Sequence, residues 1–409
     1  MAVRDVREYE PVVGRDEVED ILCMAERVKG ARVIHVNATA YGGGVAEILK
    51  SLVPLTKSVG VKAEWLVIRG SKDFFDVTKS IHNALQGDTS IEIGRNLQEI
   101  YLKVNEINSE MLKSDSLDSD GVVVIHDPQP LPLVEFREGG RWVWRCHIDT
   151  SQPNMKVWSF LKKYVEKYDA LIFSHEAYVP GDIRNFKVFI RHPCIDPLSD
   201  KNRGLGQSEI LGVLERYGVD PDRPIIGQVA RFDPWKNPLG VIDTFRKVRE
   251  KVEDVQLVLI GSFAHDDPEG VEWYEKTVKY TEGSKDVHIL TNLDGVGDVE
   301  VNAFQRSFSV ALQLSIKEGF GLAVTEALWK GVPVVATRVG GIPLQVLNEV
   351  TGFLVDSAEE AAEKVTLLLK RRWLARELGH NGREHVKRNF LVTKDLKDYL
   401  RLHIEMVGE

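Results

Sequence analysis

Residues 309–327 read SVALQLSIKEGFGLAVTEA. The first six are apolar enough for a strand buried on both faces, which is a strand of a parallel sheet covered by helices. The run breaks at a turn bracketed by Gly319 and Gly321 and resumes as a helix. The same passage from apolar run to turn to amphipathic stretch recurs on both sides. Strands are expected at 32–38, 63–68, 121–126, 141–146, 170–174 and 187–191, then at 224–230, 255–261, 287–290, 309–314 and 332–337. In 45–59, Val45, Ile48, Leu49 and Leu52 fall at i, i+3, i+4 and i+7, one face of a helix. Strand alternating with helix is the α/β signature. Pro, Gly, Asp and Asn cluster in PCIDPLSDKNRGLGQS (193–208), which reads as a linker. Each half is long enough for its own core. After 357 come consecutive charged helices near 358–370, 373–388 and 393–406. No strand follows the last of them, so it must pack on an existing surface.

Composition narrows the function classes. The chain of 409 residues is 43% hydrophobic and 28% charged, an ordinary globular balance. Its net charge of −9 disfavours nucleic-acid binding and anionic membrane surfaces. An anionic ligand therefore needs a local positive site. Cys23, Cys146 and Cys194 are scattered and odd in number, against a disulfide framework or zinc ribbon. A reducing, cytoplasmic compartment fits them best, with Cys146 and Cys194 acting as small buried hydrophobes. The amino terminus has no apolar signal core, and no apolar run reaches the roughly 18 residues of a membrane span.

Four segments carry chemistry. Tyr41-Gly42-Gly43-Gly44 lies between a strand and a helix, where exposed amides and the helix dipole favour an anion or a sugar. Glu47 occupies the position where a dinucleotide fingerprint needs its third glycine, and no GxxxxGK[ST] occurs. Arg231 and Lys236 follow the first strand of the second half, five residues apart across a turn with Pro234. Ligands of open α/β sheets bind beyond the carboxyl ends of strands, and two cations there suit a pyrophosphate, although solvated surface cations are the usual fate of these residues. Glu318 is expected in the turn after 309–314, with Glu326 a turn or more into the following helix and facing the same cleft. Its carboxylate suits a ribose diol. His126-Asp127 and His147-Ile148-Asp149 end two strands of the first half. A lone histidine there would be structural; two such ends point to a polyol site. Trp142, Trp144 and Trp158 read as core. Asp118-Ser119-Asp120 precedes a strand and reads as an acidic turn, and Asp266-Asp267 as a solvated loop. HExxH, EF-hand and GxSxG patterns are absent from the sequence.

These segments, in this order, resemble the retaining GT-B glycosyltransferases of family four over nearly the whole chain. Stretches HDPQPLPL and RWVWRCHIDTSQPN resemble the subgroup of trehalose glycosyltransferring synthases. The resemblance implies two Rossmann-like, doubly wound domains facing across a cleft: 1–195 plus 390–409 on the acceptor side, and 205–389 binding the nucleotide sugar. It implies catalytic roles for Arg231, Lys236, Glu318 and His147, and donor contacts from Gly43, Gly44, Gly319, Phe320, Gly321, Leu322 and Glu326. Acceptor contacts fall to His126, Asp127 and Asp149. The implied reaction moves glucose from a nucleoside diphosphate glucose to free glucose, reversibly, giving α,α-trehalose with the α configuration kept. Only small-molecule substrates are implied as partners, with no metal, no cofactor, no nucleic acid and no membrane; the oligomeric state, including a homodimer, is open. Other transferases of the family, an epimerase, and a non-catalytic nucleotide-sugar sensor are the competing readings.

Overall fold

The structure is a computed structural model that describes residues 4–41, 43–113, 121–263 and 268–407. Gly42, Asp118-Ser119-Asp120 and Asp266-Asp267 lie outside the described residues. The chain divides into two compact units, Met1–Pro193 with Val392–Glu409, and Cys194–Leu391.

The first unit is built on β1 (Arg32–Asn37), β2 (Lys62–Val67), β3 (Val122–His126), β4 (Arg141–Cys146), β5 (Ala170–Phe173) and β6 (Val188–Ile190). They pair in parallel in the order β2-β1-β3-β4-β5-β6. The order reverses between β1 and β3. Covering helices bury apolar stripes on both faces, and Trp142, Trp144 and Trp158 lie in the core. The helix Gly44–Ser58 follows β1 and buries Ile48, Leu49 and Leu52, part of the stripe expected for it.

The helix Val392–Val407 belongs to this unit, although more than two hundred residues separate it from β6. Its side chains reach Arg145 on β4, which is fully buried. Arg145 Nη1 donates to Tyr399 Oη at 2.7 Å and lies 3.4 Å from Asp395 Oδ1.

The second unit contains β7 (Ile225–Val229), β8 (Gln256–Gly261), β9 (Val287–Thr291), β10 (Val310–Gln313), β11 (Val334–Thr337) and β12 (Gly352–Val355), in the order β12-β11-β10-β7-β8-β9, again all parallel. Counted from β7, this is the doubly wound order 3-2-1-4-5-6. Strand β12 is not among the expected strands. It lies at the sheet edge, and its parallel pairing with β11 supplies what its sequence does not. The segment 194–206 is irregular in backbone but packed on this unit. Ile195 N–H donates to the Phe390 carbonyl at 2.9 Å, and the Asn202 carbonyl accepts from Arg306 and Trp329. Turn-forming residues set its local shape, and burial holds it in place.

Among the described residues no helix is long and apolar enough to cross a membrane.

Candidate active site

The strand order of the second unit reverses between β7 and β10, so the carboxyl ends of these two strands frame a crevice of the kind that binds ligands in open sheets. The sequence after each end folds over it. After β7, Asp233 caps one turn of 3-10 helix, Pro234–Lys236, accepting from the Lys236 amide at 2.9 Å. Asn237 takes a left-handed backbone (φ 51°), tolerable for asparagine, and caps the next helix through the Gly240 amide. After β10, Ile316 N–H donates to the Trp235 carbonyl at 2.7 Å, which ties the two loops together.

This tie brings Lys236 and Glu318 into contact. Lys236 Nζ lies 2.6 Å from Glu318 Oε2, and both side chains are mostly buried. The same oxygen accepts from Gln313 Nε2 and Ser315 Oγ, each at 3.2 Å. Glu318 is in the turn, as expected, but its carboxylate is already bound to the cation expected at the pyrophosphate. Arg231 is 57% exposed and lies 3.3 Å from Asp233. Burial raises the pKa of Asp233, and the charges of Arg231 and Lys236 oppose that rise. The two cations are therefore not equivalent: Lys236 is held, and Arg231 is at the surface.

Gly321 starts the helix Leu322–Trp329 with φ 84°, in the left-handed region, and a Cβ there would come 3.2 Å from Glu318 Cγ. The position thus demands glycine. Amides from Gly319 to Leu322 lie at this helix start. The Phe320 side chain is buried edge-on against Phe390, and its carbonyl accepts from Gln345. Glu326, in the helix, is buried too. Its Oε1 lies 3.2 Å from Lys201 Nζ and its Oε2 accepts from Gln305. Lys330, one turn further on, is desolvated, and burial lowers its pKa to about 7.

In the first unit the order reversal lies between β1 and β3. Gly43 is extended (φ −156°), and a Cβ there would meet only Thr39 at 3.9 Å. Neither backbone strain nor crowding within the unit calls for this glycine; Gly44 is the first helical residue. At the ends of β3 and β4, His147 is half-buried, with Nε2 3.0 Å from His126 Nδ1. His126 is 1% exposed and its Nε2 lies 3.0 Å from His35 Nδ1. This corrects the acceptor contact expected of His126: both ring nitrogens are engaged inside the protein, so none is left for a sugar. Asp127 has a left-handed backbone (φ 63°), and its Oδ1 accepts from the His147 amide at 2.8 Å. Burial pushes its pKa up to about 7, against the pull of that hydrogen bond and of Arg145. It fixes where His147 begins. Asp149 is half-buried and accepts from the Ser151 amide at 3.0 Å.

Sequence reasoning missed His35, Asp233, Gln313 and Ser315. Three had a signal. His35 and Gln313 interrupt apolar strand runs, and a polar group inside such a run must find a partner. Asp233 precedes a proline, the mark of a helical-turn cap.

Comparison with known proteins defines the family. Residues 214–385 match the family of glycosyl transferases group 1, and residues 35–180 match the amino-terminal domain of trehalose synthase. The α,α-trehalose-phosphate synthase (UDP-forming) from Burkholderia xenovorans shares the fold, with a TM-score of 0.73 at 15% identity, covering 91% of this chain and 100% of that one. The chain is thus a glycosyltransferase of the GT-B fold. More narrowly, it is 52% identical to the trehalose synthase of Thermococcus litoralis over 97% of this chain and 96% of that protein. It is 46% identical to that of Rubrobacter xylanophilus over 98% and 97%. It belongs to the trehalose synthase family.

Proposed function

We propose that this enzyme forms α,α-trehalose by moving glucose from a nucleoside diphosphate glucose to free glucose, keeping the α configuration and running in either direction. The observation that carries the proposal is the Lys236–Glu318 pair at 2.6 Å, at the strand-order reversal and beside the helix start at Gly321. As the glucosyl bond breaks, negative charge grows on the departing diphosphate. Lys236, Arg231 and the amides of residues 319–322 are the groups that answer it. Binding of the diphosphate draws Lys236 away from Glu318, which then accepts from a glucose hydroxyl. Glu326 accepts from the ribose diol. His147 offers one ring nitrogen to a sugar hydroxyl, with Asp149 and the Gly43–Gly44 backbone as further hydroxyl contacts. These cations and amides supply the neutralisation that a metal ion supplies in other transferases, so the reaction needs no cofactor. The odd number and wide scatter of the cysteines fit a reducing, cytoplasmic setting.

Proton NMR of the protein with UDP-, ADP- or GDP-glucose, with and without glucose, tests this. A symmetric α,α-disaccharide is expected only when both substrates are present. An α,β product would refute retention. Donor consumption without a disaccharide would refute the acceptor, and no consumption of any of the three donors would refute the reaction.

A further inference from the structure

Three histidines on three neighbouring strands of the first unit form one hydrogen-bonded chain. His35 lies on β1, His126 ends β3, and His147 follows β4. Both contacts, His35 Nδ1 to His126 Nε2 and His126 Nδ1 to His147 Nε2, are 3.0 Å. The first pair of rings is tilted by 36° and the second by 16°. The chain runs from the fully buried interior to the half-buried end at His147. Burial keeps all three rings neutral near pH 7, and the charge of Arg145 adds to that effect. The other groups around them are Asp127 beside His147, and Tyr399, Asp395 and His403 on the helix packed over β1 and β4.

Counting protons fixes more than the distances do. Three neutral imidazoles carry three N–H protons. Each of the two contacts needs one proton, and a neutral His126 must donate at one nitrogen and accept at the other. Both hydrogen bonds therefore run in the same direction. If they run outward, all three rings carry the proton on Nδ1; if inward, all three carry it on Nε2. Mixed sets would place two protons, or none, in one contact. The three tautomers are thus coupled: His147 cannot change its own unless His126 and His35 change theirs in the same step.

We propose that His35 and His126 are positioning residues that lock His147 in a single neutral tautomer and ring orientation, so that its Nδ1 meets a substrate hydroxyl always as donor or always as acceptor. The proposal rests on His147 contacting a sugar. A ring free to exchange tautomers would present the wrong role part of the time and turn over more slowly, without losing its place in the fold.

Long-range proton–nitrogen correlation spectra of the full-length protein labelled with 15N-histidine test the lock directly. His35, His126 and His147 should show the same neutral tautomer from pH 6 to 8. Different tautomers among the three, or a His147 that titrates at the ordinary value, would overturn the proposal. In His35→Phe, His147 should show both tautomers and kcat for trehalose formation should fall about tenfold, with KM for the donor little changed. His126→Gln, whose amide both donates and accepts, should retain more activity than His126→Phe. Tautomer exchange at His147 with unchanged kcat in His35→Phe would overturn the positioning role while wild-type trehalose synthesis stands. Absence of that synthesis in the wild type would instead overturn the functional reading, with the tautomer spectra unaffected. Should His35→Phe not fold, the wild-type spectra and the two His126 variants decide.

Discussion

At the strand-order reversal of the second unit, a lysine and a glutamate meet at 2.6 Å with an aspartate and an arginine beside them. At the reversal of the first, three neutral histidines stand in line with a buried arginine behind them. The same topological device is filled with opposite chemistry. In the proposed reaction a leaving diphosphate demands fixed charge, and the second unit holds such charge in the Lys236–Glu318 pair. The sugar hydroxyl of that reaction demands a defined donor or acceptor at nearly constant charge, and burial near Arg145 lowers the pKa of the histidines, favouring their uncharged form.

The contrast can be broken at its supports. Arg145 and Asp395 are 0% and 1% exposed, so Arg145→Met leaves a carboxylate buried without its cation. This should cost roughly 3–5 kcal/mol of stability, whereas Arg145→Met with Asp395→Leu should cost much less. Thermal or urea unfolding checks both, and equal losses would mean that the pair is not what holds the carboxy-terminal helix. In the charged unit, Lys236→Ala should lower kcat by about 10²–10³, or ~3–4 kcal/mol, with the circular dichroism spectrum intact. Arg231→Ala, being largely solvated, should cost only about tenfold. Steady-state rates on a nucleoside diphosphate glucose decide this, and equal losses would erase the distinction between a held and a surface cation.

Acid sharpens the contrast at smaller magnitude. His35, His126 and His147 each have a folded pKa below the ordinary 6.5, about 3 for His35. The stability that each contributes is therefore complete above pH 6.5 and is lost as pH falls towards the folded value. Between pH 7 and 5.5 the loss should be about 1 kcal/mol from His35, read from urea midpoints. His35→Asn should remove its share of that slope, and an unchanged slope would place the acid sensitivity elsewhere. The smallest effect is expected at Gly43→Ala. Its extended backbone and open surroundings predict a stability change within about 0.5 kcal/mol, with a raised donor KM if the glycine is there for a ligand. A normal KM would remove Gly43 from the site.

Much of this was legible in the chain. Eleven of the twelve strands lie where apolar runs place them, because a strand buried on both faces can hardly be written otherwise. The places of Lys236 and Glu318 after their strands and of Gly321 at its helix start were readable because strand-end position and glycine spacing are local properties. His126 was readable as a residue but not as a role. Its pattern is that of a ligand-binding strand end, and only the neighbouring strands show both of its nitrogens taken.

The sequence by itself determined the α/β alternation, the break into two units near residue 193, the carboxyl-terminal helices and the two sets of polar strand ends. These follow from periodicity, turn chemistry and charge within a few residues. Only the tertiary structure decided that Lys236 binds Glu318 while Arg231 stands at the surface, that Asp395 and Tyr399 close over Arg145 from some two hundred and fifty residues away, and that His35, His126 and His147 stand in one hydrogen-bonded line. Each of these depends on the order in which strands lie side by side. That order brings together groups far apart in the chain, and their desolvation in the packed sheet sets the charge each one carries.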